Sequence, residues 1–284
     1  MLRTRVLMGL ALIGFVMMPG CTRFVYKTAY NTADFLVMRE LDRYFQLRDD
    51  QRAFLDSKID RLHAWHRHQE LPRYAAALRG FRERFARGLK PADIAWLFAR
   101  SNEFRDTAFR RVCDDAVVFL NTLRPEQVRH LQAAFEESNA EIAEQLQAPR
   151  NERVAERRDD TLEFLRDWTG GLRPEQQTMI AGRLEKLPEL DRSRLRFRRE
   201  RQAEFLAKLP ANGGDPEKLE SVLRVWLHRP DESRPAYYRQ EVSRWRAEFR
   251  DVALAIDASM DAAQRRAVLQ RLNHLIADLE ELSR

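Results

Sequence analysis

Leu123-Arg-Pro-Glu-Gln127 and Leu172-Arg-Pro-Glu-Gln176 repeat the same five residues, and Leu47-Arg-Asp-Asp-Gln51 and Met260-Asp-Ala-Ala-Gln264 keep the apolar residue and the glutamine four positions later. Looser versions begin at Leu89, which leads to Asp93 through Lys-Pro-Ala, and at Asp215. Each reads as a helix start. Pro125 and Pro174 suit the first helical position, where the missing N–H has no intrahelical partner in any case, and the neighbouring acids suit the positive end of the helix dipole. Asp261 and Gln264 have the spacing of a capping box. In the two identical copies Arg124 and Arg173 occupy the cap position, so the box there is incomplete. A chain with this many helix starts leaves little room for strands, and the spacings between them are too uneven for a solenoid.

Apolar residues between the starts recur at helical intervals. Thr32 can cap a helix carrying Leu36, Leu41, Tyr44 and Phe45, and the next carries Phe54, Leu55, Ile59, Leu62, Trp65 and His66 until Pro72 ends or kinks it. Tyr74, Leu78, Phe81 and Phe85 form a further stripe, closed by Gly88. No strand alternation persists, so the expected fold is all-α, an elongated array of about ten antiparallel helices. Residues 1–20 read as a leader, 21–31 as a short tether, 32–211 as a helical domain and 212–284 as a C-terminal region packed on the same core. The boundary is drawn at Asn212-Gly-Gly-Asp215-Pro216. Beyond it, Tyr238, Val242, Trp245, Phe249, Val252 and Ile256, then Val268, Leu272, Leu275, Leu279 and Leu282, predict an antiparallel hairpin.

The first residues give an address. Arg3 and Arg5 precede an apolar run from Val6 to Met18, which Pro19 and Gly20 join to Cys21. That run falls short of the about 20 apolar residues a bilayer core needs, so it reads as a signal peptide. Its Gly-Cys ending resembles a bacterial lipoprotein signal, with Met18 and Pro19 departing from the usual Leu and Ala or Ser. The resemblance implies a diacylglycerol and an N-acyl chain such as palmitate on Cys21, and an anchor on the periplasmic face of the outer membrane, since Thr22 is not the retention aspartate of the inner membrane. The ten or so residues from Thr22 to Asn31 reach roughly 35 Å at most, which holds the domain near its membrane. An oxidising compartment would leave Cys113 without an intramolecular partner, and its place in a helical stripe reads as a small core residue. The net charge of +6 falls to +4 without Arg3 and Arg5, and only six of the 50 basic residues are lysine. A modest, arginine-biased excess on an exported chain argues against a nucleic-acid partner.

Few residues carry chemistry in a recognisable pattern. His63, His66, His68 and Glu70 form the one local cluster of metal-ligand types, and helical spacing puts His66 one turn from His63 and one turn from Glu70, so that two or three of them could share a face. His66 also continues the Ile59 and Leu62 line, so a hydrogen-bonded core imidazole is the plainer reading, and no metal or other cofactor is expected. No HExxH, paired CxxC, Gly-rich phosphate loop or Gly-x-Ser-x-Gly elbow occurs. Asn139 sits between Phe135 and Ile142 where an apolar residue would be expected. If buried it must be hydrogen bonded, either in a polar pocket near Asp34 or His66 or simply between helices. Six arginines crowd residues 191–202 and suit either lipid or lipopolysaccharide phosphates or a solvated face balanced by Asp191, Glu200 and Glu204.

Tyr30-Asn31, Asp34, Leu41-Asp42-Arg43-Tyr44-Phe45, Trp65-His66-Arg67, Leu71-Pro72-Arg73-Tyr74 and Ser138-Asn139-Ala140-Glu141 resemble an uncharacterised proteobacterial lipoprotein family, domain of unknown function 6279. That family has no assigned reaction, cofactor or catalytic residue. The Leu-x-x-x-Gln openings are also similar to those of Spy-type periplasmic chaperones. Taken together, these features predict a membrane-tethered envelope protein that binds or scaffolds another protein or polymer and is not an enzyme. A Spy-like chaperone, or a hydrolase or metalloenzyme using His63 to Glu70, is the alternative. The expected working surface is a polar and aromatic groove of Asp34, Tyr44, Trp65, His66, Arg67, Tyr74 and Asn139, because aromatic and Arg residues dominate binding hot spots.

Overall fold

A computed structural model describes residues 30–228 and 234–284; Cys21 and the leader lie outside them. Among the described residues there are eleven α-helices and no strand, in keeping with the all-α array expected. They are α1 (Ala33–Phe45), α2 (Asp49–Trp65), α3 (Leu71–Ala86), α4 (Pro91–Leu120), α5 (Pro125–Gln145), α6 (Arg150–Thr169), α7 (Pro174–Leu184), α8 (Asp191–Lys208), α9 (Pro216–His228), α10 (Ala236–Ser259) and α11 (Ala262–Leu282). A π-helical turn, His66–Glu70, joins α2 to α3 without a break. Every proline in the repeated starts falls in the first turn of its helix, as the missing N–H requires.

The repeated starts meet in pairs. Gln51 and Gln127 bond each other's side-chain amides at 2.8 and 3.3 Å, and Gln176 and Gln264 do so at 2.9 Å in both directions. Each glutamine oxygen also caps its own helix, accepting from the backbone N–H of Arg48, Arg124, Arg173 or Asp261 at 2.9 to 3.2 Å. Each amide nitrogen then donates to a carbonyl where the helix before its partner ends. Gln51 reaches Thr122, Gln127 reaches Phe45, Gln176 reaches Ser259 and Gln264 reaches Gly171. All four amides are buried, at 2, 3, 3 and 7% exposure. One side chain thus satisfies two helix ends at once, which is how polar groups can lie this deep. The turns α1–α2 and α4–α5 make one clamp, and the turns α6–α7 and α10–α11 make a second built from the same parts. Even the cap arginines correspond, since Arg48 donates to the Thr122 carbonyl and Arg173 to that of Ser259.

Among the described residues the buried apolar side chains gather in five clusters. Leu55, Cys113, Val128 and Leu131 share theirs with Leu209, Leu219 and Leu223, so residues on both sides of the segment drawn as a boundary pack into one cluster. At Gly214 the chain turns so tightly that a Cβ would collide with the Lys208 carbonyl. Cys113 is fully buried, and burial pushes its thiol pKa up, as suits a core residue.

The predicted C-terminal hairpin is corrected by the packing. Helix α10 lies on α7 and touches α4 and α8, whereas α11 runs antiparallel along α3 and also meets α6. Leu71 and Ala75 at the start of α3 pack with Ile276, Leu279 and Leu282, and Phe85 at its end with Val268 and Leu272. The second clamp explains the divergence, because Gln264 and Asp261 are tied to Gln176 and Arg173 and draw the first turn of α11 onto that of α7.

Candidate polar and aromatic site at the π turn

Pro72 cannot donate to the His68 carbonyl, and its ring crowds that turn. The helix relieves the conflict one turn earlier by widening, so that the Leu71 N–H bonds the His66 carbonyl five residues back. Such π turns recur at functional sites because they re-aim side chains. Here the wider turn points both His66 and Glu70 inward, at 4 and 1% exposure.

Tyr30, the first described residue, is buried against them. Its hydroxyl and Nδ1 of His66 are hydrogen bonded at 2.9 Å, and its ring stands 4.9 Å from that of His63 and 5.7 Å from that of His66. Tyr74 closes the other side at 5.5 Å from His66, and Phe104 of α4 backs Tyr74 at 4.6 Å. Glu70 pairs with Arg73 at 2.5 Å, and Arg73 also binds Glu103 at 2.9 Å. At the rim, Arg67 lies over the Tyr30 ring and donates to Asn31 at 2.7 Å, and Arg111 lies over Trp65.

The interior of this cluster is polar beyond what the protein satisfies. Nε2 of His63 and of His66, Oε2 of Glu70 and the Tyr74 hydroxyl are buried and have no hydrogen-bond partner among the described residues. Each such group costs about 1–3 kcal/mol if left so, a concentration that a purely structural core avoids. Burial pushes the His66 imidazole down to about 4, with His63 adding to the shift, and pushes the Tyr30 phenol up to about 12. Burial, with the Glu70 charge, raises the Tyr74 phenol too. Near neutral pH the site therefore offers an uncharged imidazole and two intact phenols between aromatic walls.

Of the expected groove residues, the structure brings together Trp65, His66, Arg67 and Tyr74, with Asp34 close enough for its charge to act on His63. Two are elsewhere. Tyr44 packs on Phe135 in the first apolar cluster, 5.9 Å between rings. Asn139 joins α5 to α8, donating to Gln202 at 2.7 Å and accepting from Arg198 at 3.0 Å, so it is the interhelical bond and not part of the His66 pocket. The metal candidates His63, His66 and Glu70 do not converge, because Glu70 turns to Arg73 and His66 to Tyr30. Among the described residues no group of three or more His, Cys, Asp or Glu is placed to hold an ion.

Sequence reasoning missed the contributions of α4, Glu103, Phe104 and Arg111, which lie far along the chain and belong to no motif. Tyr30 stands at the edge of the expected segment, Tyr30 to Tyr74, and is not singled out there as a site residue, although the resemblance names it. The arginine run is largely engaged: Arg192 donates to the Leu146 carbonyl, Arg196 pairs with Glu200, and Arg198 holds Asn139 and Ser138.

No curated protein and no solved structure matches this chain. A match to a family of unknown function, DUF6279, covers residues 43–239, which includes the π turn, Tyr74 and the first clamp and stops before α11. By that match the chain belongs to the family of unknown function DUF6279.

Proposed function

We propose that this protein is a lipid-anchored periplasmic protein of the outer membrane that binds an envelope protein or polymer through the rim above the Tyr30, His66 and Tyr74 cluster. The observation that carries the reading is the place of Tyr30. It is buried in the cluster nine residues after Cys21, so an acylated Cys21 would hold the cluster within roughly 30 Å of the bilayer. Trp65, Arg67 and Arg111 remain partly accessible around buried aromatic and imidazole groups, the combination that anchors protein partners. A general acid or base working near neutral pH needs a pKa near that pH, and the His66 imidazole lies well below it. The four glutamines of the Leu-x-x-x-Gln starts are buried in clamps, which gives that motif a structural use here.

A photoreactive residue at Arg67, compared in cells with one at exposed Arg244 on α10, tests the surface. A discrete crosslinked species from position 67 alone is expected, and equal capture from both positions, or from neither, removes the rim as the working face. The anchor is tested separately. Cys21→Ala is expected to abolish labelling by a fatty acid and to release the protein from the membrane fraction; continued sedimentation with membranes would contradict it.

A further inference from the structure

Asn139 has a consequence for the surface beside it. Helices α5 and α8 are joined there by amide and guanidinium bonds instead of interdigitated apolar side chains. To one side a trough opens. One stretch of about 420 Å³ lies between Phe135 and Leu206, and a second of about 250 Å³ lies between Leu146 and Leu195. Arg199 borders both, so the two stretches of the trough adjoin at that residue. From Arg192 to Leu206 the trough follows α8 for about 20 Å at the helical rise, the length of about six residues of extended chain.

Its chemistry alternates along that length. Each end has an apolar floor, the middle presents the side-chain amides of Asn139 and Gln202, and the α8 wall carries Arg192, Arg196 and Arg199. Arg192 and Arg196 already have partners, but Arg199 is exposed and has no ion pair or hydrogen bond among the described residues. Of the lining residues the one acid is Glu136, which accepts a hydrogen bond from Gln132 at 2.9 Å and is outnumbered by the three arginines. We propose that this trough binds an extended acidic peptide segment of a partner protein, with apolar side chains at the two ends, a carboxylate on Arg199, and peptide groups on the central amides. An acyl chain brings no anionic group to Arg199 and no hydrogen-bonding group to the lining amides, so a lipid tail fits less well. The site is independent of the π-turn cluster.

The test uses the full-length protein and two fluorescein-labelled hexapeptides, one alternating Glu and Leu and one alternating Lys and Leu, followed by anisotropy. Saturable binding of the acidic peptide alone is expected, weakened at least about tenfold in Arg199→Glu and in Ala203→Trp, which blocks the trough without changing its charge. Circular dichroism melts verify that both variants fold, and Arg199→Gln replaces Arg199→Glu if that variant does not. Equal binding of both peptides, no binding of either, or affinity unchanged in the folded variants would overturn the proposal. Sedimentation with phosphatidylglycerol vesicles that the same variants abolish, in the absence of peptide binding, would assign the trough to lipid and overturn it as well.

Discussion

Gln127→Leu is expected to lower stability by about 3–4 kcal/mol, because it strips partners from several buried groups at once. The Gln127 oxygen accepts from Arg48 at 2.7 Å, from the Arg124 N–H and from Gln51, while its nitrogen serves the Phe45 carbonyl and the Gln51 oxygen. Leucine supports none of these bonds. Gln51→Leu should cost a similar amount, but the double variant should cost about 1–2 kcal/mol less than the two single losses together, since each change already breaks the shared bonds. Urea unfolding of the four proteins measures this. A single-variant loss below about 1 kcal/mol, or strict additivity, would mean that the glutamines act only as separate helix caps.

The His66 site should make folding sensitive to acid. An unfolded chain takes a proton on this imidazole near its ordinary value of 6.5, whereas the folded protein resists until about 4. The unfolded state therefore binds more protons between those values. The contribution is intact above pH 6.5 and is lost progressively as pH falls toward 4, by about 3 kcal/mol in all at about 1.4 kcal/mol per pH unit. His63 shifts in the same direction and steepens the loss. In His66→Asn, whose amide can keep the bond to Tyr30, the slope between pH 6.5 and 4.5 should largely disappear. Parallel stability curves for wild type and variant across that window would show that His66 is not held neutral by burial.

The helices were legible because their boundaries are local chemistry. Pro125, Pro174 and the glutamine or aspartate three positions after each cap determine where a helix begins whatever surrounds it. Which starts meet was not legible. Gln51 would cap α2 equally well facing Gln264, and the choice of Gln127 depends on where four helices end in space. The same limit explains the mistaken hairpin, since the stripes of α10 and α11 suit each other as well as they suit their actual partners. At the candidate site, local spacing brought His66 and Glu70 to one face and suggested a break near Pro72, and the π turn is the form that break takes. Asn139 was recognised as out of place among apolar residues, but a lone polar position does not encode its partner. Gln202 and Arg198 lie on a helix more than fifty residues later.

The antiparallel seat of α11 on α3 bears on how the chain reaches its fold. More than two hundred residues separate Leu71 from Leu282, so this contact closes one of the longest loops in the molecule, and contacts of such range form late and slowly. Until it forms, Leu71, Ala75 and Phe85 lack their cover, and the Tyr30 pocket misses the wall supplied by Ile276 and Leu279. Synthesis proceeds from the other end, so the segment nearest the proposed anchor emerges first and is sheltered last. That interval is when the chain is most open to aggregation, and an escort in the compartment where it folds would act on this strip.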